Sequence, residues 1–468
     1  MKTRLQKMLI PVMVASLFFF FPAPDGLNLP AWHLFGIFAG TIFALIFQPF
    51  PEPTMLIISI TLASIFVVPL HEILIGYADG MLWLTVVAIM ISIGLKKSGL
   101  TRRIGLILIS KFGKTLLHIG YIFSFIDLLL ATSTPASPAR TGGLVYPLME
   151  GVIDTCNSTS ALSQRKIAGY FTLLAYMISM TTGSLFMTGM APNLINVKLA
   201  NDVLGISISW PLWIMGALPG FIVFLLIPYV LYIIYKPESV SMDEVRQRAF
   251  IELKAVGGFS RNELIVTGVF LLLLVLWATS TVTQLDTTMV AFIGISLMLV
   301  FEVIEWDDLV DNKEMWSLLM WFGAILGLSA ALTKLGFFSW FAVFLKAGLP
   351  TAGLSTYTIL ILIAMLAIFP HYFFVSLTGY VVAFSPMISS FVAATDIPRY
   401  PAFFLIAYLM VVSCSVTHYG NALGPFLMGK GYNDKKTWWS TGLLITMMHA
   451  VLYLTIGIMY WKLIGLWY

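Results

Sequence analysis

Long apolar runs recur along this chain, for example over 212–235, 264–280 and 443–463, each long enough to cross a bilayer as a helix. Two other hydrophobic stretches break in the middle, and in matching places. The first break, 131–143, reads Ala-Thr-Ser-Thr-Pro-Ala-Ser-Pro-Ala-Arg-Thr-Gly-Gly, and the second, 371–380, reads His-Tyr-Phe-Phe-Val-Ser-Leu-Thr-Gly-Tyr. Each is followed by a further interruption, at 188–193 and at 417–425. Backbone freed by such residues finds no partners in lipid, so it must be buried in protein or line a cavity. Corresponding interruptions in two halves of a membrane chain mark a transporter's central binding site.

Charge sets the expected order of spans. Lysine and arginine gather at the N-terminus, at Lys96-Lys97 with Arg102-Arg103, at Arg165-Lys166, from Lys236 to Arg261, and at Lys430 with Lys435-Lys436. Basic loops stay cytoplasmic. Helices near 8–22, 30–48, 54–70 and 80–95 return the chain to that side at Lys96. The stretch 115–150 must then enter and leave on one side, as a re-entrant hairpin with its tip at 134–138. A broken helix at 167–200 and a span at 210–235 lead to a polar cytoplasmic linker, 236–261, carrying a short amphipathic surface helix at 242–253. Spans near 262–280, 286–303 and 315–332 precede a hairpin at 355–391 that enters from the outer face, with its tip at 376–378. A broken helix at 401–430 and a span at 438–464 follow, leaving the C-terminus outside and the N-terminus inside. The expected architecture is therefore an all-α polytopic membrane protein. It comprises an N-terminal helix (1–29), a first repeat (30–235), the linker, and an inverted second repeat (262–468) with an opposed re-entrant hairpin. Ser137 and Ser376, at the two tips, stand 239 residues apart.

Composition agrees: 59% of residues are hydrophobic and 10% charged, which excludes a soluble globular domain. Long runs in place of short alternating strands exclude an outer-membrane barrel. The net charge of +4 is spread over loops with no basic cluster interleaved with aromatics, so no nucleic-acid partner is expected. Trp210, Trp213, Trp316, Trp438, Trp439 and Trp461 fall near expected helix ends and read as an interfacial belt. Cys156 is expected in a cytoplasmic loop and Cys414 inside a helix, without a disulfide, and no metal-ligand spacing appears. The first apolar run reads as a retained helix and not a cleaved signal.

The helices that begin after each tip would aim their N-termini at whatever lies between, which suits an anion. Ser137, Thr141, Ser376 and Thr378 add hydroxyls, and carbonyls at Gly183, Gly189 and around Thr417 are candidates for Na⁺. Arg140 has two open roles: a clamp on one substrate carboxylate, or an internal ion pair with Asp127. His371 and His418 are either substrate donors or satisfied structural groups. Lys198 is expected to snorkel to the interface, and Glu52, Asp79 and the cluster Glu302, Glu305, Asp307, Asp308 and Asp311 to sit in loops. No catalytic constellation or phosphate loop is present, so an enzyme is not expected.

At these residues the chain resembles the divalent-anion/sodium symporter family. Its nearer likeness is to the branch of 2-oxoglutarate/malate translocators and citrate/succinate or tartrate/succinate antiporters. That branch's first hairpin reads Thr-Pro-Ser-Asn-Thr-Ala-Arg-x-Gly-Gly, against Thr134 to Gly143 here. Gly189 to Asn193 match its Gly-Met-Ala-Pro-Asn in full. His371 to Tyr380 resemble its second hairpin, and Thr417–Gly420, Gly429–Tyr432 and Trp438-Trp439 match its late motifs. The resemblance covers nearly the whole chain. It implies secondary transport of C4–C5 dicarboxylates such as malate, succinate or 2-oxoglutarate, by sodium symport or by exchange. It also implies an elevator motion, a homodimer, and a bacterial inner or plastid-type inner membrane. A citrate or tartrate/succinate antiporter and an anion channel are the alternatives.

In the family, Ser-Asn-Thr triplets at both tips bind the carboxylates and frame two Na⁺ sites. By position they fall on Ala136-Ser137-Pro138 and Ser376-Leu377-Thr378. Together with the residues at the breaks, the candidate substrate contacts are Ser137, Pro138, Arg140, Gly189, Asn193, Ser376, Leu377, Thr378, Thr417 and His418. The candidate sodium contacts are Ala136, Ser137, Gly183, Val375 and Leu377. Neither tip keeps its asparagine, so backbone groups must replace the lost side chains there.

Overall fold

A computed structural model describes residues 2–156, 161–237, 242–348 and 353–467. Among them every regular element is helical. Seven helices are long and apolar enough to cross a membrane, or eight if the bent pair Trp210–Ala217 and Gly220–Tyr235, inclined at 53°, is one span. Pro219 stands at that bend and lacks the N–H that would continue the helix.

The first half runs α1 (Lys2–Phe20), α2 (Leu29–Phe47), α3 (Glu52–Phe66), α4 (Gly80–Ser98), α5 (Leu100–Phe112) and α6 (Leu116–Ala131). After the first tip, a wide turn at Pro138–Val145 continues into α7 (Tyr146–Thr155). Then come α8 (Ala161–Leu185), α9 (Ala191–Leu199), α10 (Trp210–Ala217) and α11 (Gly220–Tyr235). The linker carries α12 (Asp243–Val256), close to the surface helix expected there. The same succession then repeats: α13 (Arg261–Ala278), α14 (Thr287–Val300), α15 (Lys313–Lys334), α16 (Phe337–Gly348), α17 (Thr356–Ile368), α18 (Leu377–Ala393), α19 (Arg399–Val412), α20 (Leu423–Met428) and α21 (Lys435–Leu452).

The two halves interlock. Helices α8 and α19, the unbroken parts of the two interrupted helices, pack on each other at the centre. The far part of each interrupted helix packs on the other half's hairpin: α9 on α18, and α20 on the turn at Pro138–Val145. Helix α3 instead packs on α2 and α15. Close approach explains the glycines at the breaks. A Cβ on Gly189 would stand 2.8 Å from the Gly183 carbonyl oxygen, and one on Gly442, inside α21, would collide with the Ser415 carbonyl of the second interrupted helix.

Several expectations are corrected. Two helices before the hairpins, α5 and α16, were not anticipated. In α5 the buried Arg103 pairs with Glu263 at 2.6 Å and donates to the carbonyls of Gly257 and Gly258, which anchors the linker. The spans near 54–70 and 286–303 are shorter, because α3 stops before Pro69 and α14 ends at Val300. The tryptophan belt is largely internal: Trp210, Trp213, Trp438 and Trp461 are buried, while Trp316 is exposed. Broken helices have ends inside the protein, so an aromatic near a helix end need not be near the membrane surface. Trp213 and Trp461 donate instead to the carbonyls of Ser184 and Gly216. Lys198 pairs with Asp79 at 3.3 Å and Asp202 at 3.5 Å. Cys156 and Cys414 are both free and buried.

Candidate functional site

Both hairpins are unwound at their tips because the sequence denies them continuous helix. Pro135 and Pro138 bracket the first; at the second, Ser376 caps α18 by accepting from the Gly379 N–H at 3.3 Å. The two tips face one cavity of about 530 Å³, a size typical of small-molecule sites. It is lined by residues 135–138 of the first tip and 375–378 of the second. The breaks add Met190, Ala191 and Pro192 on one side and Asn421, Ala422 and Pro425 on the other. Gln48, Glu52, Glu314, Ser317, Leu318 and Trp321 complete the wall. The N-terminal residues of four helical segments, beginning at Pro138, Ala191, Leu377 and Leu423, therefore meet at this space. Among the described residues no lysine or arginine lines it.

A charged lattice fixes the first tip. Arg140 is fully buried, and its Nη1 donates to the carbonyls of Thr134 and Gly189, each at 2.7 Å. Its Nη2 donates to the Ser179 carbonyl at 2.9 Å, and Nε stands 3.4 Å from Asp127. Asp127 also accepts from Thr141 at 2.6 Å and from Thr182 at 2.5 Å. Of the two roles open to Arg140, the structure shows the internal ion pair: the guanidinium is spent on backbone and does not reach the cavity. Ser137 donates to Asn421 Oδ1 at 3.0 Å, so the second interrupted helix supplies an amide beside a tip that lacks its own.

A histidine ring fixes the second tip. The Gly420 carbonyl, 3.1 Å from His371 Nε2, can only accept, so Nε2 carries the proton. Nδ1 lies 2.7 Å from Ser413 Oγ, whose hydroxyl donates to the Met410 carbonyl at 2.7 Å, and the ring stacks on Tyr380 at 4.5 Å. Ser376 donates to Glu52 Oε1 at 3.4 Å.

Of the residues assigned to substrate or sodium, Ala136, Ser137, Pro138, Val375, Ser376, Leu377 and Thr378 line the cavity. Arg140, Gly183, Gly189, Asn193, Thr417 and His418 do not. The Gly189 carbonyl is taken by Arg140. The Gly183 and Phe186 carbonyls accept from Asn193 Nδ2 at 2.8 and 2.9 Å. The Thr417 carbonyl faces the Tyr176 hydroxyl at 3.4 Å, and His418 accepts from Trp439 Nε1 at 3.0 Å. Ser133 Oγ, Thr134 Oγ1 and Asn193 Oδ1 are buried without a hydrogen-bond partner among the described residues.

Glu52 and Glu314 were missed. Glu52 was expected in a loop; it is the first residue of α3 and lies on the cavity wall. The available signal was an acid at the mouth of an apolar run, which is expensive in a membrane and marks function by default.

A helical membrane protein whose broken helices and paired hairpins enclose one central cavity is built as a transporter, not an enzyme. The chain belongs to the family described as the sodium:sulfate symporter transmembrane region, and the match spans residues 2–467. It is 35% identical to the inner membrane protein YbhI of Escherichia coli, over 100% of this chain and 99% of that one. It is 30% identical to the citrate/succinate antiporter of the same species, over 100% and 99%. Identity to dicarboxylate transporter 1, chloroplastic, of Spinacia oleracea is 29%, over 99% and 82%. Its fold is similar to that of Neisseria gonorrhoeae MtrF, with a TM-score of 0.57 at 13% identity, covering 97% and 94% of the two chains.

Proposed function

We propose that this protein exchanges C4–C5 dicarboxylates, such as malate, succinate or 2-oxoglutarate, across a bacterial or plastid-type inner membrane. The observation that carries the reading is the meeting of four helix N-termini at one cavity: their positive dipole ends favour an anion without any basic side chain. Relatives named for dicarboxylate and for citrate/succinate transport support the substrate class. Exchange is favoured over sodium symport because Arg140 and Asn193 already donate to the carbonyls at Gly189 and Gly183 that a sodium ion would need. Sodium symport is the second reading, favoured by the partnerless oxygens of Ser133, Thr134 and Asn193.

In this reading the hairpins enter from opposite faces of an inverted repeat, with the N-terminus cytoplasmic and the C-terminus outside. The protein works as a homodimer by elevator motion. Counterflow of labelled succinate, malate, 2-oxoglutarate and citrate in proteoliposomes, with and without a sodium gradient, tests it. Exchange predicts acceleration by unlabelled dicarboxylate on the far side and indifference to sodium. A sodium requirement selects symport, uptake without trans-acceleration indicates a channel, and no movement of any of these acids removes the reading.

A further inference from the structure

A cavity suited to an anion has, among its described lining residues, two titratable side chains, and both are carboxylates. Glu314 stands in the first turn of α15 and Glu52 begins α3, so both come from one packed pair of helices. The tips, the residues Met190 to Pro192 and the residues Asn421, Ala422 and Pro425 contribute no ionisable group, and Gln48 at the end of α2 is uncharged. The Glu52 carboxylate accepts the hydrogen bond of Ser376, the hydroxyl that caps α18 at the second tip. A substrate carboxylate drawn to that helix N-terminus would need the same hydroxyl and would stand beside Glu52. Two carboxylates sharing one site resist joint ionisation.

We propose that Glu52 is a built-in competitor for the substrate carboxylate, holding Ser376 in the empty carrier and yielding it most readily when protonated. The inference rests on the reading of the cavity as a dicarboxylate site. When substrate arrives, the Ser376 hydroxyl turns its proton from Glu52 Oε1 to a substrate oxygen. Glu52 takes up one proton from water, and returns it to water when substrate leaves. No carbon bond changes, and proton and charge balance over the cycle. Glu52 thereby sets affinity against pH and joins the hairpin tip to α3 only while the site is empty.

The test is exchange of labelled succinate by the full chain in proteoliposomes, comparing wild type with E52Q and E314Q. Measurements run from about pH 5.5 to about pH 8, a range wide enough to follow a carboxyl group that titrates beside a second carboxylate. The substrate's own titration is common to all three proteins, so the ratio of KM values isolates the protein's contribution. E52Q is expected to lower KM about tenfold at the alkaline end, with kcat changed less, and to converge on wild type at the acid end. E314Q, which alters the carboxylate not bonded to Ser376, should do so more weakly. A second variant, E52D, keeps the charge but draws it back from Ser376. It should lower KM moderately at the alkaline end and converge on wild type at the acid end, so it serves if E52Q does not reconstitute.

A KM ratio for E52Q that is constant across pH overturns the proposal. So does a KM raised at every pH, which would make Glu52 a helper of binding and not a competitor. Wild type that exchanges none of the dicarboxylates instead overturns the functional reading beneath it.

Discussion

The two hairpin tips solve the same problem with different chemistry. At the first, a permanent cation paired with Asp127 gathers three backbone carbonyls, from Thr134, Gly189 and Ser179. At the second, an imidazole bonds one carbonyl and one hydroxyl and leans on an aromatic ring. The first lattice is buried, and its cavity-facing hydroxyl, Ser137, is already bound to Asn421. The second presents Ser376 and Thr378 to the cavity, with Ser376 held only by a long bond to Glu52. The difference assigns the tips distinct parts: the first is a fixed wall, and the second is the adjustable contact.

The contrast can be broken most sharply at Arg140. Arg140→Ala strands a buried Asp127 and three carbonyls, so it should cost about 3–5 kcal/mol, seen as a large fall in detergent melting temperature together with loss of uptake. Arg140→Lys should recover part of this, because a point charge cannot reproduce the fork that reaches three carbonyls. Wild-type melting and uptake in Arg140→Ala would remove the fixed wall from the account. His371→Ala should cost less, about 1–3 kcal/mol, the penalty for leaving the Gly420 carbonyl with only the weak Cys414 thiol as donor. A melting shift as large as that of Arg140→Ala would make the two tips equivalent.

Smaller effects divide the tips by function. Ser137→Ala should cost about 1 kcal/mol of stability through its bond to Asn421, with little change in KM. Ser376→Ala removes a helix cap of similar worth, about 1 kcal/mol, but should also raise the KM for succinate several-fold. Equal KM effects from the two serines would erase the distinction. The smallest effect is expected at the half-exposed pair of Lys430 and Glu150, 2.6 Å apart, which ties the second interrupted helix to α7. Lys430→Met should shift stability by less than about 1 kcal/mol, read from the same melts.

Much of the fold was legible because lipid leaves the backbone few options. Apolar runs had to be helices, and Pro135, Pro138 and Gly189 inside such runs had to mark breaks facing protein or a cavity. The breaks were legible in their order for the same reason. The amphipathic helices α5 and α16 were not, because at thirteen and twelve residues they are too short to register as spans. Nor was the position of Glu52, which follows two prolines in sequence and reads locally as a loop residue.

The sequence by itself determined that this is a helical membrane transporter with two broken hairpins, and that the tips at 134–138 and 376–378 belong to its centre. It also restricted Arg140 to two roles. Only the tertiary structure chose between them, because choosing required knowing which carbonyls lie within reach of a buried guanidinium. The structure likewise brought Asn421 to the first tip, buried four tryptophans expected at the interface, and set Glu52 against Ser376. The physical reason is one of range. Hydropathy and helix-breaking act on neighbours in sequence, whereas hydrogen bonds and charge pairing act across distances that only the packed fold defines.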